Sequence, residues 1–533
     1  MQLVLSDIAK HLNNKFFFFN YKMRLNILIG GEAGQGANTI AEIVSDILVN
    51  YGYYVFNYKD YQSLIRGGHN FNIISISEKP IASYESKLDI ILAMDKKTID
   101  LHKNFLDKKG IVINARKFEN FKRNMNLASL GSLIKILGID KEVFISRIKK
   151  KFKNKECVIA SQSGFDSQKN LFNFKRIKNK IYLMSGSEGV AEGAVSSGLN
   201  RYIAYPMTPA TPVMHRLAAM QNNKQNNLMV FQAENEIAVI NSALGASFAG
   251  ANVMVGTSGG GFDLMSEGLS LQGMLEIPLT VYLASRAGPA TGVPTYNSQA
   301  DLNVALRAGH GEFPRVIVAP GDSLDSFQLT NQALYLSSKL NVLSIILSDK
   351  NVAESQFSFS ESVKRGILKI VKNRKIPSEG FVKVSSYEHD KFGNTIEDAE
   401  LVVKGYENRL RKYNELKKAC SKFNMFKIYG KKNSKNLVMG WGSTKGVILD
   451  TIDNLDCKFL QILYLKPMSD KIKKELEKVE NIILVEYNST GQLGRLIREK
   501  TGIKILEKNR ILKYDTRPFA SDELKNEIKR RLR

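Results

Sequence analysis

Short apolar runs that end in glycine-rich or polar turns and lead into amphipathic stretches recur from Leu25 to Val485. This alternation constrains the fold more than any other feature, because repeated strand–turn–helix units build α/β layers. Residues 24–160 show it first, with apolar strands at Leu25–Ile29, Tyr53–Asn57, Phe71–Ser77, Leu88–Met94 and Ile111–Asn114 and a periodic helix over Asn38–Asn50. They predict a mainly parallel sheet. Residues 148–180 are rich in Lys and Asn with little apolar pattern and read as a linker. From 182 to about 375 the chain is lower in charge and dense in Gly, Ala and Ser, with strands at Val253–Thr257, Leu279–Ala284, Arg315–Ala319 and Leu343–Ser348. Charged helical stretches fill 376–432, and Asn436–Gly440, Phe459–Leu465 and Asn481–Val485 open a third α/β unit. The expected division is an extension at 1–22, domains at 23–160, 182–432 and 433–533, and a linker at 161–181. Met23 stands directly before the first strand and is an alternative start.

At 533 residues the chain is too long for one core. No stretch approaches the ~18–20 uninterrupted apolar residues of a membrane span. Phe16–Phe19 are flanked by polar residues without a small-residue cleavage site, so the start does not read as a signal peptide. Cys157, Cys420 and Cys457 are scattered with no CxxC, which argues against a disulfide framework, zinc or an iron–sulfur cluster in this chain and favours a cytoplasmic protein. The net charge of +25 raises the question of nucleic acid. Between Tyr182 and Ser348, however, 7 Lys+Arg face 11 Asp+Glu, so the whole excess lies elsewhere, in runs such as Lys149–Lys155, Arg409–Lys418 and Lys471–Lys478. These runs lack interleaved aromatic platforms and read as solvated faces or as a basic surface for an acidic partner protein or a phosphorylated cofactor, not as a nucleic-acid groove.

The turn Gly30-Gly31-Glu32-Ala33-Gly34-Gln35-Gly36 lies between a strand and a helix, where phosphate meets helix N-termini. Its spacing is G-x-x-G-x-G, not the dinucleotide G-x-G-x-x-G, and the second strand ends in Asn57-Tyr58-Lys59 without a ribose-binding acid. A nicotinamide dehydrogenase is therefore disfavoured.

Three segments of the middle region carry chemistry. Tyr205-Pro206-Met207-Thr208-Pro209-Ala210-Thr211-Pro212 has too many prolines for a helix or central strand, and stiffens a loop that holds the Thr208 and Thr211 hydroxyls. Gln232-Ala233-Glu234-Asn235-Glu236 places acids at the mouth of a small-residue helix, where helix-dipole stabilisation alone would explain them. Ala284-Ser285-Arg286-Ala287-Gly288-Pro289-Ala290-Thr291-Gly292-Val293-Pro294-Thr295 presents one guanidinium in a rigid loop, suited to clamping a carboxylate. Gln299-Ala300-Asp301-Leu302 follows, and His310 between two glycines reads either as an acid–base group or as a hydrogen-bonded loop residue.

At these residues the chain resembles the alpha subunit of 2-oxoacid:ferredoxin oxidoreductases. The ordered motifs are YPMTPATP, QAENEIAVINSALGASFAGA, TSGGGFDLMSEG, SRAGPATGVPT and GHGEFPR; SSYEHDKFGN, LVMGWGSTKG and LVEYNSTGQLGRL follow. The front part, with GGEAGQGANT and YQSLIRGGHNFNIISIS, resembles the family's gamma domain fused ahead of the alpha part. Gly260 stands where the family usually has proline, which loosens the Ser258–Gly261 loop.

The resemblance implies three α/β domains, a thiamine-enzyme pyrimidine-type domain in the middle and a transketolase C-terminal-like domain at the end. It implies decarboxylation of a 2-oxoacid, 2-oxoglutarate favoured, on thiamine diphosphate, with acyl transfer to coenzyme A and electrons passed to ferredoxin. Glu236, with Glu234 as fallback, matches the aminopyrimidine carboxylate; Thr208 and Arg286 match residues at the substrate's carbonyl and carboxylate. Tyr205, Pro206, Gly259 and Gly261 would line the cofactor, and Arg66 and Gly67 would serve coenzyme A. No GDG motif occurs, Gly321-Asp322-Ser323 being the nearest. Mg²⁺, the diphosphate site and an iron–sulfur cluster are therefore expected on a beta subunit, in a heterodimer or dimer of heterodimers. The alternatives are a non-catalytic scaffold subunit and a thiamine-dependent 2-oxoacid dehydrogenase component that does not use ferredoxin.

Overall fold

The computed structural model describes residues 24–64, 67–222, 227–360 and 366–532. Three sheets organise them. The first has seven strands in the order Leu106–Asn114, Leu88–Ala93, Leu25–Ala33, Gly67–Ser77, Tyr54–Asp60, Gln356–Phe359 and Tyr182–Ser185. The expected mainly parallel arrangement does not hold: two pairings are parallel and four antiparallel. One of the antiparallel pairings follows from a short connection. Only residues 61–66 separate Tyr54–Asp60 from Gly67–Ser77, far fewer than the dozen or more a parallel crossover needs.

Residues 148–180 contain a helix, Lys155–Asp166, which packs on Met125–Leu137. Its inward face is Cys157, Ala160, Ser161, Gly164 and Phe165, too small and mixed to show as an apolar stripe. The two helices approach so closely that a Cβ on Gly164 would overlap the Ala128 carbonyl.

The second sheet runs Tyr464–Lys466, Arg315–Val318, Leu343–Asp349, Leu279–Ser285, Val253–Thr257, Arg201–Ala204, Met229–Gln232. Every pairing is parallel except that of Tyr464–Lys466. Its central strands Val253–Thr257, Leu279–Ser285 and Leu343–Asp349 are buried runs, as a sheet covered on both faces requires. Helix Gly186–Ser197 enters through a capping box of Ser185 and Glu188 and stops at left-handed Gly198. The third sheet pairs Phe426–Gly430, Lys458–Ile462, Asn436–Trp441, Asn481–Glu486 and Arg510–Leu512.

The domains share cores. One apolar cluster joins Ile317 and Ile345 of the second sheet to Leu437, Trp441 and Leu460 of the third. Beside it lies a buried ionic knot. Lys445 Nζ bonds Asp322 and reaches Asp325 Oδ2 at 2.7 Å, Gln461 Nε2 donates to the same oxygen at 2.7 Å, and Lys427 lies 3.0 Å from Asp325 Oδ1. Asp322 also caps helix Ser323–Leu340. Among the described residues no helix is long and apolar enough to cross a membrane.

Candidate active site

The chain order of the second sheet reverses at Arg201–Ala204: the next strand, Met229–Gln232, lies on one side of it and the one after, Val253–Thr257, on the other. Ligands of open α/β sheets bind outside the carboxyl ends of strands at such a switch point. The segments singled out in the sequence converge there. Tyr205-Pro206-Met207-Thr208 leaves one switch strand and Ser258-Gly259-Gly260-Gly261 the other. Glu236 follows the edge strand, and Arg286 follows the neighbouring strand Leu279–Ser285.

Asn235, not an acid, caps helix Glu236–Phe248, its side chain accepting from Ala238 N at 2.9 Å. Glu236 is thereby free to turn inward. It is 3% exposed and its Oε1 has no hydrogen-bond partner, whereas Glu234 is exposed. The Glu236 carboxylate sits over Gly261, where a Cβ would lie 2.5 Å from Oε1 and would also overlap the Thr257 hydroxyl. Ser258–Gly261 forms the start of a short helix, Gly259–Leu264, and a Cβ on Gly260 would meet nothing nearer than Ala290 O at 3.9 Å.

Arg286 Nη1 donates to Thr208 O at 3.0 Å, while its buried Nε has no partner. The contact to Thr208 is to the carbonyl, which leaves the hydroxyl for other use. Burial lowers the Arg286 pKa from its usual value, and the charges of Asp301 and Glu236 oppose that shift. One cation therefore lies in the field of two carboxylates without forming an ion pair with either. The sequence pattern assigns Asp301 no role. Burial pushes its carboxyl up to about 6; Ser285 and Arg286 pull it down and Asp263 adds to the rise. Asp301 Oδ2 has no partner, and a Cβ on Gly259 would lie 2.9 Å from it. A carboxylate beside a conspicuous arginine loop was the only available signal.

Tyr205 is exposed at the rim and Pro206 half-buried behind it. His310 is exposed, its carbonyl accepting from Ser270 Oγ at 2.8 Å, so the loop-residue reading describes it. Gly67 opens its strand at φ 75° beside Glu32 in the first sheet; Arg66 lies outside the described residues.

An orphaned buried carboxylate over a glycine cradle, at the mouth of a small-residue helix, suits a heterocycle that offers a ring nitrogen. Residues 192–424 match the family described as pyruvate flavodoxin/ferredoxin oxidoreductase, thiamine diP-binding, and residues 26–121 match pyruvate ferredoxin/flavodoxin oxidoreductase. The middle domain is thus of the thiamine diphosphate-binding class. A 2-oxoacid:ferredoxin oxidoreductase subunit alpha from Sulfolobus sp is 30% identical, covering 95% of this chain and 96% of that one. A 2-oxoglutarate synthase subunit KorA from Archaeoglobus fulgidus is 37% identical over 34% of this chain and 51% of its own. The 2-oxoglutarate:ferredoxin oxidoreductase from Magnetococcus marinus has the same fold, with a TM-score of 0.86 at 24% identity over 96% of this chain and 100% of that one. This chain belongs to the 2-oxoacid:ferredoxin oxidoreductase alpha-subunit family.

Proposed function

We propose that this chain is the alpha part, fused to a gamma-like domain, of a cytoplasmic enzyme that oxidatively decarboxylates a 2-oxoacid to its acyl-coenzyme A and passes the electrons to ferredoxin. The observation that carries the reading is that an incompletely bonded Arg286 and a buried Glu236, whose Oε1 has no partner, lie together at the switch point. Thiamine diphosphate, when bound, supplies the electron sink for decarboxylation. Glu236 would accept a hydrogen bond from the aminopyrimidine ring and hold a proton there. Arg286 would pair with the substrate carboxylate, Thr208 would orient its carbonyl end, and Tyr205, Pro206, Gly259 and Gly261 would line the cofactor. The small residues allow close approach and exclude water.

The diphosphate, Mg²⁺ and an iron–sulfur cluster would reside on a beta subunit. Asp322, in the sequence closest to a GDG motif, is committed to a helix cap and to Lys445. Large exposed apolar side chains adjoin the site elements at Tyr205, Phe231, Ile237 and Leu264, as expected where a partner covers the cofactor. The KorA-named relative supports 2-oxoglutarate as the substrate. Coenzyme A would use Arg66 and Gly67, and the assembly would be a heterodimer or a dimer of heterodimers.

The test is Arg286→Ala in the complex with its beta partner. Loss of a charge-assisted bidentate contact in a dry site is worth ~2–4 kcal/mol, so KM for the 2-oxoacid should rise and turnover fall. Unaltered kinetics would remove Arg286 from the site.

A further inference from the structure

Behind the Arg286 loop, all three domains meet in a buried polar cluster that the reaction does not use directly. Lys350, 1% exposed, donates to Lys59 O and lies 4.8 Å and 5.5 Å from the ring centres of Tyr58 and Tyr61. Glu354, 8% exposed, accepts the Tyr61 hydroxyl at 2.7 Å. Burial, reinforced by Glu354, holds the Tyr61 phenol far above its usual range, so it remains a donor at any physiological pH. Asp60 accepts from Tyr58 at 2.9 Å and pairs with Arg517 at 3.2 Å, and the Arg517 guanidinium lies 3.6 Å above the Tyr296 ring.

These contacts converge on Thr295–Asn297, at the far end of the loop that begins with Arg286. Thr295 Oγ1 donates to Tyr61 O at 2.7 Å; Asn297 N donates to Thr516 O at 3.1 Å, and Asn297 Oδ1 accepts from Asn351 N at 3.1 Å. Val293 N donates to Ala287 O at 2.9 Å in an isolated bridge, which shortens the path from Thr295 back to Arg286. The Arg286 side chain makes one hydrogen bond, to Thr208 O. Its position is therefore set mainly by the backbone that these contacts hold.

We infer that Tyr61 of the gamma-like domain is a positioning residue for Arg286: its hydroxyl, fixed by Glu354, and its carbonyl, holding Thr295, place the guanidinium for the 2-oxoacid carboxylate. The gamma-like hairpin is thus a structural part of the 2-oxoacid site, in addition to any role with coenzyme A. This rests on the reading of Arg286 given above.

Tyr61→Phe removes only the hydroxyl and keeps the ring against Lys350. The complex with beta is titrated, without coenzyme A, with a non-decarboxylating 2-oxoacid analogue of the oxamate type. Calorimetry gives Kd, and steady-state assays give KM and kcat. One hydrogen bond of ordinary net strength corresponds to about threefold to tenfold. Analogue Kd and 2-oxoacid KM should rise by that factor, with kcat changed less. In an Arg286→Ala background the same substitution should change neither, because the residue being positioned is gone. Glu354→Gln, which keeps an acceptor oxygen for Tyr61, should retain affinity, and Glu354→Ala should behave like Tyr61→Phe. An unchanged Kd in Tyr61→Phe, or an equal rise in the Arg286→Ala background, overturns the inference while leaving the function intact. A wild-type complex that neither binds the analogue nor reduces dye with any 2-oxoacid overturns the functional reading, and the inference falls with it.

Discussion

Replacing Gly261 by Ala isolates the placement of Glu236. The added Cβ would lie 2.5 Å from Glu236 Oε1 and 2.7 Å from its Cγ, against an ordinary contact of 3.4 Å or more. The carboxylate must therefore retreat by about 1 Å, and a misplacement of that size costs about 100-fold in rate, or ~2.7 kcal/mol in the barrier. Stability should move much less. Gly261 sits in a helix without a positive φ, where Ala gains ~1 kcal/mol over Gly; the clash with Thr257 and Glu236 costs ~1–3 kcal/mol. A net loss within ~2 kcal/mol leaves the chain folded. Gly260→Ala is the control one residue away, because its Cβ meets nothing closer than 3.9 Å. The assay is 2-oxoacid- and coenzyme A-dependent viologen reduction by the complex, alongside its thermal midpoint. Gly261→Ala should lose about two orders of magnitude in kcat while Gly260→Ala stays near wild type. Wild-type turnover in Gly261→Ala would refute the idea that this glycine keeps room for a functional carboxylate.

Other outcomes follow from the same geometry. Asp301, with its carboxyl at about 6, opposes the Arg286 charge when ionised. KM for the 2-oxoacid should therefore fall as pH drops through 6, and Asp301→Asn should give the low KM throughout; a pH profile of KM checks this. Lys445→Met strands two carboxylates, one of them almost fully buried, and should cost ~3–5 kcal/mol in denaturant unfolding. Burial would raise the Asp325 pKa, but Lys445 and Lys427 outweigh it and hold the carboxyl low; burial would lower that of Lys445, but Asp322 and Asp325 hold it high. The knot's stabilisation is therefore present between the ordinary values of 3.8 and 10.5 and lost as pH falls below the first or rises above the second. Gly164→Ala drives a Cβ into the Ala128 carbonyl and should lower the melting temperature without altering KM.

Much of the candidate site was legible because its residues are rare types in rigid surroundings. Arg286 is one cation among small residues, and the proline loop has no regular alternative. Choosing Glu236 over Glu234 by residue pattern alone was not possible; the structure separates them because Asn235 takes the cap and only Glu236 turns inward. Lys350 and Glu354 lie in SDKNVAE, which has the composition of a solvated turn, and only long-range packing against Tyr58 and Tyr61 shows them buried. The strands Leu25–Ala33 and Val253–Thr257 were plain as apolar runs. Other short strands were not: Gln356–Phe359 and, at the edge beyond it, Tyr182–Ser185 leave the middle region to extend the first sheet, a partnership no local pattern encodes. Phe459–Leu465 read as one strand but divides, because Tyr464–Lys466 turns to pair with Arg315–Val318 in the second sheet.

The most direct test of the account is to purify this chain with whatever binds it and assay viologen reduction with 2-oxoglutarate, pyruvate and 2-oxoisovalerate, each with and without coenzyme A. The account predicts a partner bearing an iron–sulfur cluster and coenzyme A-dependent reduction, fastest with 2-oxoglutarate. A bound partner and thiamine diphosphate without activity on any of the three acids would contradict it and favour a scaffold subunit.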